Sequence, residues 1–168
     1  NPADAKFAAL GKFGPVGPVS QAVEHGEAIL LALPGAAVTG FSESFGDALK
    51  GKVVIDTTNN VRSSVMNSLD VLVTQAPGAH LARAFSTLGW ENFANPQIGG
   101  VQIDLFFCAQ PAARAITEML IGDVGLRPVF IGDIDSGSVL DGLTRLWFSL
   151  VFGQNLGRRL AFKLLVEE

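Results

Sequence analysis

The stretch EAILLALPGAAV, Glu27–Val38, decides how the chain is read. Its run Ala28–Leu33 is apolar without alternation and stops at once on Pro34-Gly35. So short an apolar run, closed by a turn, reads as a strand covered on both faces. Pro34 cannot donate to a sheet and Gly35 leaves the backbone bare, so the strand ends where a ligand can approach main chain. Four further segments read as strands: Val53–Asp56, His80–Phe85, Leu105–Ala109 and Arg127–Ile131. Val19–Glu24, Ser42–Leu49 and Pro111–Ile121 supply helical crossovers between them. The last of these has Pro111 at its start, Ala115, Ile116, Met119 and Leu120 at helical spacing, and Gly125 past its end. Strands alternating with helices predict an α/β fold, a doubly wound parallel sheet whose first four strands are central.

Outward from this frame the pattern changes. Val16–Val19, VGPV, is expected to be a brief extended piece confined by its prolines to a sheet edge. Val139–Val166 is one long, mostly apolar stretch with no strand signal, and it predicts a terminal helix or helix pair that packs on the sheet or on a second subunit. The division expected is a nucleotide-binding domain over 1–133 and a C-terminal helical tail over 134–168. At the other end NPADAKFAAL reads as a helix start, with Asn1 as cap, Pro2 at the first helical position and Asp4 in the first turn.

With 48% hydrophobic and 17% charged residues among 168, the composition is that of a compact domain. A chain of this size buries about 70% of its unfolded surface. A net charge of -4 gives no basic footprint for nucleic acid or an anionic membrane, so neither partner is expected. Pro34-Gly35 and Gly153-Gln154-Asn155 interrupt the two runs that come nearest to a membrane span. The single cysteine, Cys108, rules out an intrachain disulfide and fits a reducing compartment; the cytoplasm is the expected location.

Three motifs stand in a fixed order: Ala32-Leu33-Pro34, Asp56-Thr57-Thr58-Asn59 and Ala84-Phe85-Ser86-Thr87, followed by GLRPVFIGD and the apolar tail. Together they resemble the NADP-dependent oxidoreductases of the coenzyme F-420-dependent family, which includes the deazaflavin:NADP reductases and is similar to the reductase domain of the STEAP metalloreductases. The resemblance covers about 1–165 and implies a Rossmann-type sheet. Two departures accompany it. Ser86 stands where the family has Asn, and the Gly-x-Gly-x-x-Gly fingerprint is absent. In the family that fingerprint precedes the position of Asn1, which leads to the expectation that about 30 residues, one βα unit and a strand, come before it.

The resemblance implies NADP(H) as cofactor, and carboxyl-end loops of parallel strands are where a dinucleotide binds. Ala32, Leu33, Pro34, Gly35, Thr57, Asn59, Ala84, Phe85 and Ser86 are the residues expected to meet it. No catalytic acid or base is expected, because the cofactors carry hydride chemistry and the protein sets distance and face. An acceptor site is expected from Thr87, Leu88, Ser136, Ser138 and Trp147, for coenzyme F-420, FMN or FAD. The loop around Trp90 and Phe93 reads as a lid or a dimer contact, and the apolar tail points to a homodimer. Two alternatives stay open: a pyrroline-carboxylate or imine reductase, and an NADP-binding sensor without turnover. His25 and His80 have no partner at metal-ligand spacing, and Cys108 reads as a packed thiol. Asp133 and Asp135 read as a turn, and Arg158, Arg159 and Lys163 as a solvated face or ion-pair partners across a dimer.

Overall fold

The computed structural model describes residue 11 and residues 14–167. The helix start at Asn1, Pro2 and Asp4 lies outside the described residues. The elements follow in the order α1 Val19–His25, β1 Ala28–Leu31, α2 Val38–Phe45, β2 Val53–Asp56, α3 Leu69–Gln75, β3 His80–Arg83, α4 Glu91–Ala94, β4 Gln97–Ile98, β5 Val101–Gln102, β6 Asp104–Ala109, α5 Pro111–Asp123, β7 Arg127–Phe130 and α6 Gly137–Phe148. β1, β2, β3, β6 and β7 lie in that order in one sheet, and β4 with β5 forms a small hairpin.

The sheet is a Rossmann-like α/β layer, mostly parallel, and each expected strand forms within two residues of its expected ends. Two features correct the sequence reading. β6 runs antiparallel to β3, pairing Ala82 with Ala109 and Arg83 with Cys108. A parallel return needs a long crossover, usually a helix. The segment between β3 and β6 offers only the single turn of α4 and the β4-β5 hairpin, so the chain comes back reversed. α5 then provides a true crossover, and β6 and β7 are parallel. The second correction concerns β1, which is the edge strand among the described residues and is not covered on both faces; Leu30 is 48% exposed.

The side-chain alternation of β2 divides the core. Val53 and Ile55 face the layer formed by α5 and the Trp147 end of α6, with Phe107 and Ile121. Val54 faces α1, α2 and α3, where Val23, Val38, Leu49 and Leu72 pack. α3 had no counterpart in the sequence reading. VGPV joins no strand; Pro18 is extended and caps α1.

The long C-terminal helix is also corrected. α6 ends at Phe148, a π-helical turn follows over Ser149–Gly153, and residues 154–167 form neither helix nor strand. Asn155 at φ 54° and Gly157 at φ 80° break the helical path. The cations expected on a solvated helix face instead tie this strap to the body. Lys163 Nζ and Leu164 N each donate to the buried Asp104 carboxylate at 2.7 Å, which also takes Arg127 Nε at 2.7 Å.

Burial alone would raise the Asp104 pKa, but the hydrogen bonds from Arg127, Lys163 and Leu164 outweigh it and hold the carboxyl below the usual range. A lowered folded pKa means stability that is complete above the ordinary Asp value near 3.9 and is lost as pH falls through the folded value. The protection of residues 160–165 against hydrogen exchange, taken relative to the intrinsic rate, should therefore fall in wild type below about pH 4. Asp104→Asn should show faster exchange at pH 7 and a shallower acid dependence; identical acid profiles would refute the tether.

Candidate functional site

Strand register brings Leu31, Asp56 and Arg83 abreast at one edge of the sheet. Beyond them the chain continues into Ala32–Gly35, Thr57–Asn60 and Ala84–Thr87, the segments of the three motifs. What holds these segments is a buried charge cluster that the sequence reading did not single out. Arg83 is fully buried. Its Nη1 donates to Asp56 Oδ2 at 3.1 Å and to the Thr58 carbonyl at 2.8 Å. Its Nη2 meets Asp141 Oδ1 of α6 at 2.9 Å and Asn59 Oδ1 at 3.0 Å.

Both carboxylates also accept hydrogen bonds from the loops they organise. Asp56 accepts from Thr58 N, Thr58 Oγ1 and Ser68 N. Asp141 accepts from Met66 N, Asn67 N and Asn67 Nδ2. A buried ion pair is tolerated only with such additional bonds. The signal was legible in retrospect: Arg83 is a lone charge inside the apolar run HLARAF, and Asp141 a lone acid in VLDGLTRLWF.

Asn59 is fixed at both ends of its amide, since its Nδ2 also donates to the Ser86 carbonyl at 2.7 Å. One Nδ2 hydrogen remains for a ligand. Next to that carbonyl, Phe85 sits at φ 59°. A bulky residue adopts this left-handed conformation at a cost of about 1–3 kcal/mol, and it persists where surroundings over-determine it. Thr57 Oγ1 donates to the Leu31 carbonyl at 2.9 Å, tying the second motif to the first.

Two cavities open on these segments. An open one of about 550 Å³ has Pro34, Gly35, Asn59, Asn60 and Arg62 in its wall; among the described residues Arg62 is its one charged lining group. The bare backbone of Gly35 matters here, because a Cβ at that position would run into the Asn60 amide. The second cavity, about 330 Å³, is almost wholly apolar and is bounded by Leu30, Ala32, Thr57, Phe85, Phe93 and α5 residues Leu120 and Val124. The Phe85 and Phe93 rings meet edge to face at 5.7 Å.

The residues expected at the cofactor thus divide. Pro34, Gly35 and Asn59 line the first cavity, and Ala32, Thr57 and Phe85 the second. Leu33 packs with the α1-α3 layer, while Ala84 and Ser86 are buried. The residues expected at the acceptor are not brought together. Thr87, Leu88 and Trp147 are core, with Trp147 3% exposed and its Nε1 donating to Leu160 O. Ser138 lines a different, polar cavity with Asn67, Asp70 and Asp135, and Ser136 ends a 3-10 turn. Phe93, named only as a lid or interface residue, is the aromatic that faces Phe85.

The remaining candidates are structural. Asp133 caps the turn Ile134–Ser136 by accepting from Ile134 N at 2.6 Å. Burial pushes the Cys108 thiol up to about 11, which keeps it protonated and unreactive. Among the described residues no group of three or more His, Cys, Asp or Glu could hold a metal ion. No described helix is long and apolar enough to cross a membrane.

A mostly parallel sheet flanked by helices, with cavities opening at its strand ends, defines a Rossmann-like α/β domain. Residues 3–60, which include the first two site loops, match the family model described as NADP oxidoreductase, coenzyme F420-dependent. Among solved structures, a provisionally named F420-dependent NADP reductase of Arthrobacter sp. FB24 superposes with a TM-score of 0.83 at 16% identity, covering 96% of this chain and 80% of that one. A hypothetical protein of Sinorhizobium meliloti gives 0.72 at 21% identity over 100% and 80% of the two chains. A Streptomyces aurantiacus imine reductase gives 0.66 at 14% identity over 93% of this chain and 53% of its own. At these identities the likeness speaks for the fold. No curated protein sequence matches the chain at a significant level.

Removing one member of the buried cluster leaves charge without a partner, which costs about 3–5 kcal/mol. Arg83→Leu should lower the stability measured by urea unfolding by that amount. A loss below about 1 kcal/mol, the scale of an exposed pair, would show that the cluster is not the site's foundation.

Proposed function

We propose that the chain is an NADP(H)-dependent oxidoreductase that passes hydride between NADP(H) and a planar acceptor of deazaflavin or flavin type. The observation that carries this reading is the pair of cavities built on the same two loops, one open with amide and guanidinium groups in its wall, one almost wholly apolar and walled by phenyl rings. The family description of residues 3–60 supports the cofactor, and so does the chemistry of the open cavity. Among the described residues its wall has a guanidinium, the Asn59 and Asn60 amides and the half-buried Gly35 backbone but no carboxylate, a donor set suited to an anionic nucleotide.

NADP(H) supplies the hydride, and the protein orients it. Arg83 and Ser86 O hold the Asn59 amide so that its remaining N–H is aimed without reorganisation. Thr57 keeps acceptor capacity after donating to Leu31 O. Phe85 and Phe93 exclude water from the apolar cavity and offer ring faces to a flat partner.

A second reading, reduction of a small imine, is favoured by the structural likeness to imine reductases and by the modest size of the apolar cavity. This chain spans about half the length of those proteins. A homodimer belongs to the proposal through the exposed apolar residues Val139, Leu146, Phe152 and Leu156, and a cytoplasmic location through the lone thiol. Light scattering that gives a monomer would remove the dimer.

The decisive experiment mixes the protein with NADPH and, separately, F-420, FMN, FAD and a cyclic imine, following absorbance near 340 nm. Oxidation with a flavin-type acceptor is expected. Oxidation with the imine alone would favour the second reading, and tight NADPH binding without turnover a sensor. Gly35→Val should weaken NADPH binding roughly tenfold by forcing Asn60 aside, with little change in melting temperature.

A further inference from the structure

The wall formed by Phe93 stands on an element that cannot support itself. α4 is a single turn, Glu91–Ala94, and an isolated helix of that length has no stability in water. It lies between Gly89-Trp90, with Trp90 66% exposed, and Asn95-Pro96. Phe93 packs on the core beside Phe85, and bonds from the C-terminal strap hold the rest of the turn.

Arg159 concentrates those bonds. Its Nη1 donates to Glu91 O at 3.0 Å, Asn95 O at 2.7 Å and Asn92 Oδ1 at 3.1 Å, and its Nη2 to Gln97 O at 2.5 Å. Three of these acceptors are main-chain carbonyls, that of Glu91 at the start of α4 and those of Asn95 and Gln97 beyond its end. A planar, always charged fork suits that cluster in a way a lysine cannot match. The contact is reciprocal, because the buried Asn92 donates to Arg158 O at 3.0 Å and Arg158 Nε bonds Glu91 Oε1 at 2.5 Å. The strap itself is pinned by Trp147 Nε1 on Leu160 O and by Lys163 on Asp104.

Arg159 is exposed, so it adds little to the core, and every bond it makes ends on α4, Asn95 or Gln97. We infer that Arg159 is a positioning residue, which holds α4 so that Phe93 closes the apolar cavity against Phe85 and thereby sets how tightly a planar acceptor is gripped. The inference rests on reading that cavity as the acceptor site.

Arg159→Ala and Arg159→Lys, with Arg114→Ala as a surface control, would be compared by hydrogen exchange without ligand and by binding of FMN and of NADPH. Arg159→Ala should speed exchange of residues 92–95 while the amides of Val54 and Leu81 keep wild-type protection. It should weaken FMN roughly three- to tenfold, the worth of one aromatic contact, and leave the NADPH Kd unchanged. Arg159→Lys should fall between. Unchanged exchange in Arg159→Ala would overturn the inference, as would an FMN loss equal to that of Arg114→Ala or a matching loss of NADPH affinity. A wild-type protein that binds NADPH but no FMN would defeat the acceptor reading alone; exchange at 92–95 would then still decide whether Arg159 holds α4.

Discussion

Arg83 enters the interior with its guanidinium out of reach of water, and the sheet edge can exist in this form only because both sides supply it with carboxylates. Asp56 comes from the neighbouring strand and Asp141 from a helix that arrives more than fifty residues later in sequence. Taking either charge out of water is unfavourable by several kcal/mol, so the cluster tolerates few alternative geometries. Low tolerance is useful at a binding site. It fixes Thr58 O, Asn59 and Met66-Asn67 relative to the strands, and the position of α6 with them.

The reversal between β3 and β6 explains why the site has two unlike walls. A helical crossover would have covered this face with a long, self-supporting element. The chain instead spends residues 84–103 on a strained Phe85, a one-turn helix and a hairpin before returning antiparallel. The one-turn α4 and the exposed β4-β5 hairpin bury little apolar surface and rank low in local stability. The strap over 154–167 compensates by supplying hydrogen bonds from another part of the chain.

The parts of the fold legible in sequence were those written in local apolar runs. Val53–Asp56 reads as a buried strand because all four residues are buried, and Pro111 to Gly125 brackets a helix with its own start and stop signals. The direction of β6 was not legible, because an apolar run carries no mark of its direction and the length of the connection had to be weighed instead. The tail misled for a related reason. Leu160, Ala161 and Phe162 keep an apolar helical look, yet they pack as a strap, and the backbone turns at Asn155 and Gly157 override the period. The motifs located the two loops of the site, whereas Trp147 looked like an acceptor wall only until its burial against Leu160 was visible.

Under the function proposed above, the rigid and the tethered wall divide two demands that a hydride-transfer site must meet. The cofactor side needs fixed hydrogen-bond geometry, and it is built from strand ends locked by an ion cluster whose disruption would disturb the whole sheet. The partner side needs an apolar surface that admits a ring and then excludes water, and it is built from Phe93 on a turn held by exposed, individually weak bonds. A wall secured through Arg159 can open at small cost without disturbing Asn59 or Arg83, because no hydrogen bond of Arg159 reaches the charge cluster. That separation lets the grip on a flat partner vary while the cofactor's loops stay in place, which is what a site that must release one ligand and retain another requires.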